Sequence, residues 1–189
     1  MWILFRGRRP YIANVATTVL GMAYCGWFPL HLLFLRNLGS GFDALPYVLM
    51  MFIAVLTTDT GCYYLGCNFG KHKLAPVISP NKTVEGAIGG AVCAVIVTML
   101  IGYYAGISWY MSLFIGLLCT ACAQIGDLCE SLIKRDAGVK DSGDILPGHG
   151  GFMDRCDSYI FTIPVMCYFC KYFVFSNDFV TSILGKGLF

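Results

Sequence analysis

Charged side chains are scarce in this sequence. Of its 189 residues only 13% are Asp, Glu, Lys or Arg, whereas 57% are hydrophobic. A soluble domain carries about a quarter charged residues. The deficit therefore excludes an ordinary soluble domain and indicates an integral membrane protein. The formal net charge of +2 says little about partners, because the distribution of charge matters more than its sum.

Two other features are missing. The first apolar run is too long for the hydrophobic region of a cleavable signal peptide, and it lacks a clear cleavage site. The ten cysteines do not form a secreted disulfide pattern, because most lie in apolar runs, where a thiol behaves as a small hydrophobe. The pairs Cys119–Cys122 and Cys167–Cys170 have zinc-ligand spacing. Because both pairs lie inside apolar runs, we expect them to serve helix packing.

Long apolar runs, in contrast, fill most of the chain. Crossing a bilayer takes about 20 mostly apolar residues. The sequence predicts an all-α polytopic membrane helical bundle with about five transmembrane helices and two polar loops. The predicted spans are residues 11–35, 45–65, 88–105, 109–125 and 159–175. A short loop at 106–108 makes the third and fourth spans an antiparallel hairpin, and glycines four residues apart predict close helix packing.

Basic residues indicate an orientation for these spans. With five spans, the N-terminal tail and both polar loops share one side of the membrane. Ten of the thirteen Lys and Arg residues lie on that side: Arg6, Arg8, Arg9, Lys71, Lys73, Lys82, Lys134, Arg135, Lys140 and Arg155. The positive-inside rule predicts that this side is the cytoplasmic or equivalent face.

The first polar loop, residues 57–90, combines an acidic residue with several lysines. Asp59 lies within the second apolar run, where a carboxylate needs a cation or metal partner, or else caps the helix end and faces water. Lys82 and the start of the third helix both favour phosphate. A cap formed by Ser79 or Asn81 explains part of the same pattern, so both interpretations stay open.

The second polar loop holds most of the acidic residues. Residues 126–158 contain seven of the chain's eleven: Asp127, Glu130, Asp136, Asp141, Asp144, Asp154 and Asp157. Asp127 and Glu130 are three residues apart at the end of one span, and Asp154 and Asp157 repeat this spacing at the start of the next. Such carboxylates suit Mg²⁺.

Basic side chains accompany these carboxylates. Lys134, Arg135, Lys140 and Arg155 can neutralise phosphate. His149 either contacts phosphate, transfers a proton or braces the glycine-rich turn around it. Carboxylates, basic groups and a glycine turn together favour metal-assisted phosphoryl or nucleotidyl transfer.

The second loop resembles the signature of phosphatidate cytidylyltransferases, also called CDP-diacylglycerol synthases. The matching pattern is Ser131-x-Ile133-Lys134-Arg135-x4-Lys140-Asp141-x-Gly143-x2-Leu146-Pro147-x-His149-Gly150-Gly151-Phe152-x-Asp154-Arg155-x-Asp157. Cys156 departs from the aliphatic residue or Thr usual in that family. The first loop is similar as well, through Lys73-Leu74-x-Pro76 and Ser79-Pro80-x-Lys82-Thr83-x-Glu85-Gly86.

The resemblance implies a reaction and a set of site residues. CTP and phosphatidate would give CDP-diacylglycerol and pyrophosphate with Mg²⁺, a second metal ion being left open. The implied catalytic residues are Asp127, Asp154, Lys140, Asp141, His149 and Arg155. The implied substrate-binding residues are Ser79, Lys82, Thr83, Lys134 and Arg135. The implied metal ligands are Asp127, Asp154, Asp157 and Asp59.

The resemblance runs from about Thr57 to the last span. Family members carry further N-terminal spans, so we expect residues 1–189 to form one membrane-embedded catalytic domain matching their C-terminal portion. Expected partners are CTP, phosphatidate and membrane lipid, without nucleic acid, and a homodimer is left open. The rival hypotheses are a CTP-dependent polyprenyl-lipid transferase or kinase, an inactive paralogue, and a cation-coupled transporter, which would spread its acids through mid-membrane.

Overall fold

Six α-helices and one short β-hairpin make up the part of the chain that the structure describes. The structure is a computed structural model, and it describes residues 11–40, 42–139, 142–143, 151 and 153–176. The helices are α1 (Tyr11–Met22), α2 (Phe28–Arg36), α3 (Leu45–Phe69), α4 (Val84–Tyr104), α5 (Trp109–Asp136) and α6 (Met153–Phe169). The strands are β1 (Lys73–Ala75) and β2 (Ser79–Thr83).

Four of the predicted spans are confirmed as helices that are long and apolar enough to cross a membrane. A π-helical turn joins α1 to α2, so that Tyr11–Arg36 is one span, and α3, α4 and α5 are the others. The fifth predicted segment is also helical, but α6 has only 17 residues before a second π-helical turn, Cys170–Val174, and is not among these four. The prediction of an all-α polytopic bundle is confirmed, with the β-hairpin added.

The predicted ends of several spans were wrong, because hydropathy marks the apolar part of a helix and not its whole length. Helix α5 continues from the apolar run through the polar residues up to Asp136. One turn of this extension is stabilised by the ion pair between Glu130 and Lys134, which has the favourable order of acid before base. The helical placement predicted for Asp127 and Glu130 is therefore confirmed.

The β-hairpin packs onto the start of α4. Its strands are antiparallel, with Lys73 opposite Thr83. Thr83 caps α4, because its backbone is extended and its hydroxyl oxygen accepts a hydrogen bond from Gly86 N at 3.2 Å. A cap formed by Ser79 or Asn81, which the sequence left open, is excluded, since both residues belong to β2.

Glu85, in the first turn of α4, ties the approach to the hairpin to the helix. Its carboxylate accepts hydrogen bonds from Lys71 N at 3.0 Å and His72 N at 3.1 Å. The same carboxylate lies 2.6 Å from His72 Nδ1. An acidic group at this position also complements the positive end of the helix dipole.

Cysteines contribute to the core, which lies where α2, α3, α5 and α6 meet. The buried core side chains include Leu35, Met50, Met51, Ala54, Ile115, Cys119, Met166, Cys167 and Cys170. The packing role expected for the CxxC pairs is thus confirmed for three of their four cysteines.

Glycines allow α3 and α4 to approach closely. A Cβ atom on Gly61 would lie 2.9 Å from Gly90 Cα, and one on Gly86 would lie 2.9 Å from Gly66 Cα. These distances are shorter than ordinary van der Waals contact. The four-residue spacing of Gly86 and Gly90 therefore has the packing role that the sequence predicts.

We expect Gly90→Ala to destabilise the bundle. The new Cβ would lie 2.7 Å from Thr58 O and 3.0 Å from Cys62 N, and backbone atoms of a packed helix yield little. Overpacking of this kind costs about 1–3 kcal/mol, which a lower midpoint of thermal unfolding in detergent would reveal. Gly21→Ala is the matched control, because nothing lies within 4 Å of its Cβ position. Equal midpoints for the two variants would contradict the packing described.

Candidate active site

The polar ends of the helices enclose a cavity of about 690 Å³. Its wall is formed by α3, the β-hairpin, α4, α5 and α6. Eight charged side chains in the described part of the chain line it, four acidic and four basic: Asp59, Lys73, Lys82, Asp127, Lys134, Asp154, Arg155 and Asp157. Residues of both polar loops therefore line one cavity.

Lys82 and Asp127 join the hairpin to α5. The Lys82 ammonium lies 2.5 Å from Asp127 Oδ2. This nitrogen is buried, and the contact is an ion pair whose geometry is not that of a hydrogen bond. Both side chains are only partly exposed, so the pair is screened less by water than a surface pair. A lysine predicted to bind substrate thus lies directly beside a carboxylate predicted to bind metal.

Lys134 joins α5 to α6 in a similar way. Its ammonium donates to Glu130 Oε2 at 2.9 Å and to Asp154 Oδ1 at 2.7 Å. Glu130 belongs to the same helix as Lys134, whereas Asp154 lies in the first turn of α6. The two carboxylates hold the ammonium from two sides at the cavity wall.

Asp154 also organises the loop between α5 and α6. Its Oδ2 atom accepts hydrogen bonds from Ser142 N at 3.0 Å, Ser142 Oγ at 2.9 Å and Gly151 N at 2.8 Å. Partial burial acts to raise the pKa of Asp154, but the bonds from Lys134, Ser142 and Gly151 outweigh it and hold the pKa well below its usual value. Asp154 is therefore ionised at any physiological pH.

A glycine brings two further carboxylates together where α5 meets α6. A Cβ atom on Gly126 would lie 2.7 Å from Asp157 O, so only glycine allows this approach. Asp127, the next residue, is thereby placed near Asp157. Burial raises the pKa of Asp157, and the Asp127 carboxylate raises it further. In α3, Asp59 accepts a hydrogen bond from Ser158 Oγ at 3.4 Å.

The acidic side chains suit a hard divalent cation. Mg²⁺ in phosphate-transferring sites binds one or two carboxylates and takes its other ligands from water and substrate phosphates. No three His, Cys, Asp or Glu side chains among the described residues are close enough to hold a metal by themselves. The neighbouring carboxylates of Asp127 and Asp157 fit an ion of this kind, which takes its other ligands from water and phosphate.

The predicted site residues divide into three groups. Lys82, Thr83, Lys134, Arg155 and the four predicted metal ligands line the cavity. Ser79 and Arg135 do not line it. Arg135 Nε instead donates to Ile78 O in the hairpin at 3.4 Å. Lys140, Asp141 and His149 lie outside the described residues.

Two residues in or next to the cavity wall were missed at the sequence level, Gln124 and Ser142. Gln124 lines the cavity, and its side-chain amide donates to Ala87 O of α4 at 3.1 Å. A polar amide inside the apolar run before Asp127 was a signal that could have revealed it. Ser142 carried no comparable signal, because its importance comes from its hydrogen bonds to Asp154.

The sequence of this chain is similar to those of known proteins. A family model described as "Cytidylyltransferase family" matches residues 1–173. A phosphatidate cytidylyltransferase of Staphylococcus saprophyticus is 44% identical over 155 residues, which is 81% of this chain and 58% of that protein. Another, from Staphylococcus aureus strain COL, is 49% identical over 126 residues, 66% of this chain and 48% of that protein.

This chain spans about half the length of the curated relatives it matches. The family match, in contrast, covers nearly all of it and includes every described residue of the cavity wall. With four helices able to cross a bilayer, it is a multi-pass membrane protein. The chain belongs to the cytidylyltransferase family.

Proposed function

We propose that this chain transfers the cytidylyl group of CTP to phosphatidate, giving CDP-diacylglycerol and pyrophosphate for phospholipid biosynthesis. The observation that carries the proposal is the cavity, in which carboxylates and lysines from both polar loops lie together. The relatives named phosphatidate cytidylyltransferase, of which this chain matches about half, support the choice of substrates. A transporter is disfavoured, because its carboxylates would be distributed through the spans.

The charge of the cavity supports a need for a divalent cation. The described wall carries four carboxylates and four basic groups, which cancel at neutral pH. Two polyanionic substrates need added positive charge before they can approach each other. We propose Mg²⁺, which would neutralise phosphate charge in the reaction and stabilise the leaving pyrophosphate.

The proposed ligands of this ion are Asp127, Asp154, Asp157 and Asp59. The number of hydrogen bonds that each carboxylate accepts from the protein indicates which of them are favoured. Both oxygens of Asp154 already accept protein hydrogen bonds, four in all. Asp127 and Asp157 have fewer protein donors and lie near each other, so they are the favoured ligands. Asp154 contributes by holding Lys134 and both ends of the second loop.

The chain's basic residues would position the phosphates. A phosphate oxygen of the lipid attacks the α-phosphorus of CTP, a new P–O bond forms, and the bond to the bridging α,β oxygen breaks. A phosphate monoester is largely ionised near neutral pH, so the reaction needs no strong general base. Lys82, Lys134 and Arg155, which line the cavity, are the proposed phosphate contacts, with His149 in a positioning role.

We further propose that the cavity opens at the cytoplasmic or equivalent face of the membrane. Lys71, just before the hairpin, and Lys73, in β1, are exposed, and basic residues concentrate on the cytoplasmic side of membrane proteins. Soluble CTP would reach the site from this side, while phosphatidate would arrive from the bilayer.

The direct test of the function is an assay of the chain in nanodiscs with radiolabelled CTP, phosphatidate and Mg²⁺. We expect labelled CDP-diacylglycerol to form, and an excess of EDTA to abolish its formation until Mg²⁺ is restored. A panel of polyprenyl phosphates should give no product. Failure of the folded chain to use phosphatidate, or turnover unaffected by EDTA, would contradict the proposal.

Asp127→Asn tests the role of the carboxylate that pairs with Lys82. We expect kcat to fall by about 10²–10³-fold, the range seen when one preorganised electrostatic contact is removed from an active site. The side chain is about a third exposed, so the thermal unfolding midpoint should change little. Lys71→Met, in an exposed lysine near the same cavity, is a control for altered surface charge. Near-normal turnover of Asp127→Asn would remove this residue from the site.

A further inference from the structure

Glu130 lies behind the wall of the cavity. Its relative exposure is 2%, and it is not among the residues that line the cavity. Its Oε2 atom accepts a hydrogen bond from Lys134 at 2.9 Å. Lys134, in contrast, lines the cavity and extends across to Asp154 of α6. Glu130 therefore reaches the site through Lys134 and through the neighbouring carboxyl group of Asp157.

The hydrogen bonds of Lys134 fix the position and orientation of its ammonium group. An ammonium has three N–H donors. In the part of the chain that the structure describes, Glu130 and Asp154 accept two of them. Lysine has a long, flexible stem, so a single partner would leave the group free to rotate. Two acceptors on two different helices fix it, and one N–H is left for an acceptor in the cavity.

Without a hydrogen-bonding partner, Glu130 would destabilise the protein at this buried position. A buried carboxylate destabilises a protein unless it is paired and hydrogen-bonded. Its second oxygen, Oε1, is buried without an N–H or hydroxyl donor among the described residues. A residue that served only to fill space would need no hydrogen-bond acceptor here, whereas one that holds a lysine from behind does.

We propose that Glu130 is a positioning residue for the transfer reaction. It holds the Lys134 ammonium between α5 and α6, so that the remaining N–H donates to a phosphate oxygen of the substrate. This inference rests on the proposed function and deepens it, because it assigns a role to a residue outside the cavity wall. Glu130 itself does not touch the substrate.

A double-mutant cycle separates this role from a merely structural one. We expect Glu130→Gln to lower kcat/KM by about 10–100-fold, the usual effect of losing a partner that orients a ligand group. Lys134→Met should lower it at least as much. In the double variant the loss should be clearly smaller than the product of the two single losses, because the two residues act through one hydrogen bond. Asp136→Asn, in an exposed acidic residue of the same helix, should stay within about twofold of wild type.

Two results of the cycle would overturn the inference. One is an unchanged kcat/KM for Glu130→Gln. The other is a double variant whose loss is the product of the two single losses, since this would mean that Glu130 acts independently of Lys134. If Glu130→Gln does not fold, the same cycle is run with Glu130→Asp, which keeps the charge but shortens the reach toward Lys134.

A second measurement does not depend on turnover. Lys134 is labelled in the folded chain with an acetylating reagent, and its labelling is compared by mass spectrometry with that of exposed Lys71. We expect Glu130→Gln or Glu130→Asp to increase the relative labelling of Lys134 several-fold. Unchanged labelling would overturn the positioning role. A wild-type chain that makes no product would overturn the proposed function instead, and the labelling would still decide whether Glu130 holds Lys134.

Discussion

Carboxylates at the polar end of a membrane bundle must be paired, and the pairing in this protein determines how the helices meet. Lys82 contacts Asp127 and so joins the hairpin to α5, while Lys134 joins Glu130 to Asp154 and so joins α5 to α6. An unpaired charge near lipid is costly. The same contacts that satisfy the acidic groups therefore build the wall of the cavity.

The local structure of the chain supports these contacts. Gly126 lets α5 approach α6 where Asp127 and Asp157 lie, and the Thr83 cap fixes the start of α4 directly after Lys82. These features place lysines and carboxylates from distant parts of the sequence around one space. The charges of the described wall balance, and for this reason we propose a divalent cation for the reaction of two polyanions.

The sequence predicted much of this arrangement, but not all of it. Apolar runs revealed four of the spans, and the signature brought Lys134, Asp154 and Asp157 into one candidate site. Hydropathy did not predict the polar end of α5, because helix stability there comes from pairs such as Glu130 with Lys134. The spacing of Asp127 and Glu130 placed both near one helical face, but it could not tell that one lines the cavity while the other is buried behind it. That difference depends on α6, which packs against α5 only in the folded protein. The role of Arg135 likewise depends on the hairpin that its side chain contacts.

Natural cysteines provide the most direct measurement of whether the cavity binds the nucleotide. Cys67 is exposed and lines the cavity, whereas Cys129, in the polar end of α5, is partly exposed and does not line it. Both can be labelled with N-ethylmaleimide in the folded chain and quantified by mass spectrometry, with and without saturating CTP and Mg²⁺. If the cavity is the nucleotide site, CTP slows the labelling of Cys67 much more than that of Cys129. Equal labelling of Cys67 with and without bound CTP would contradict the account.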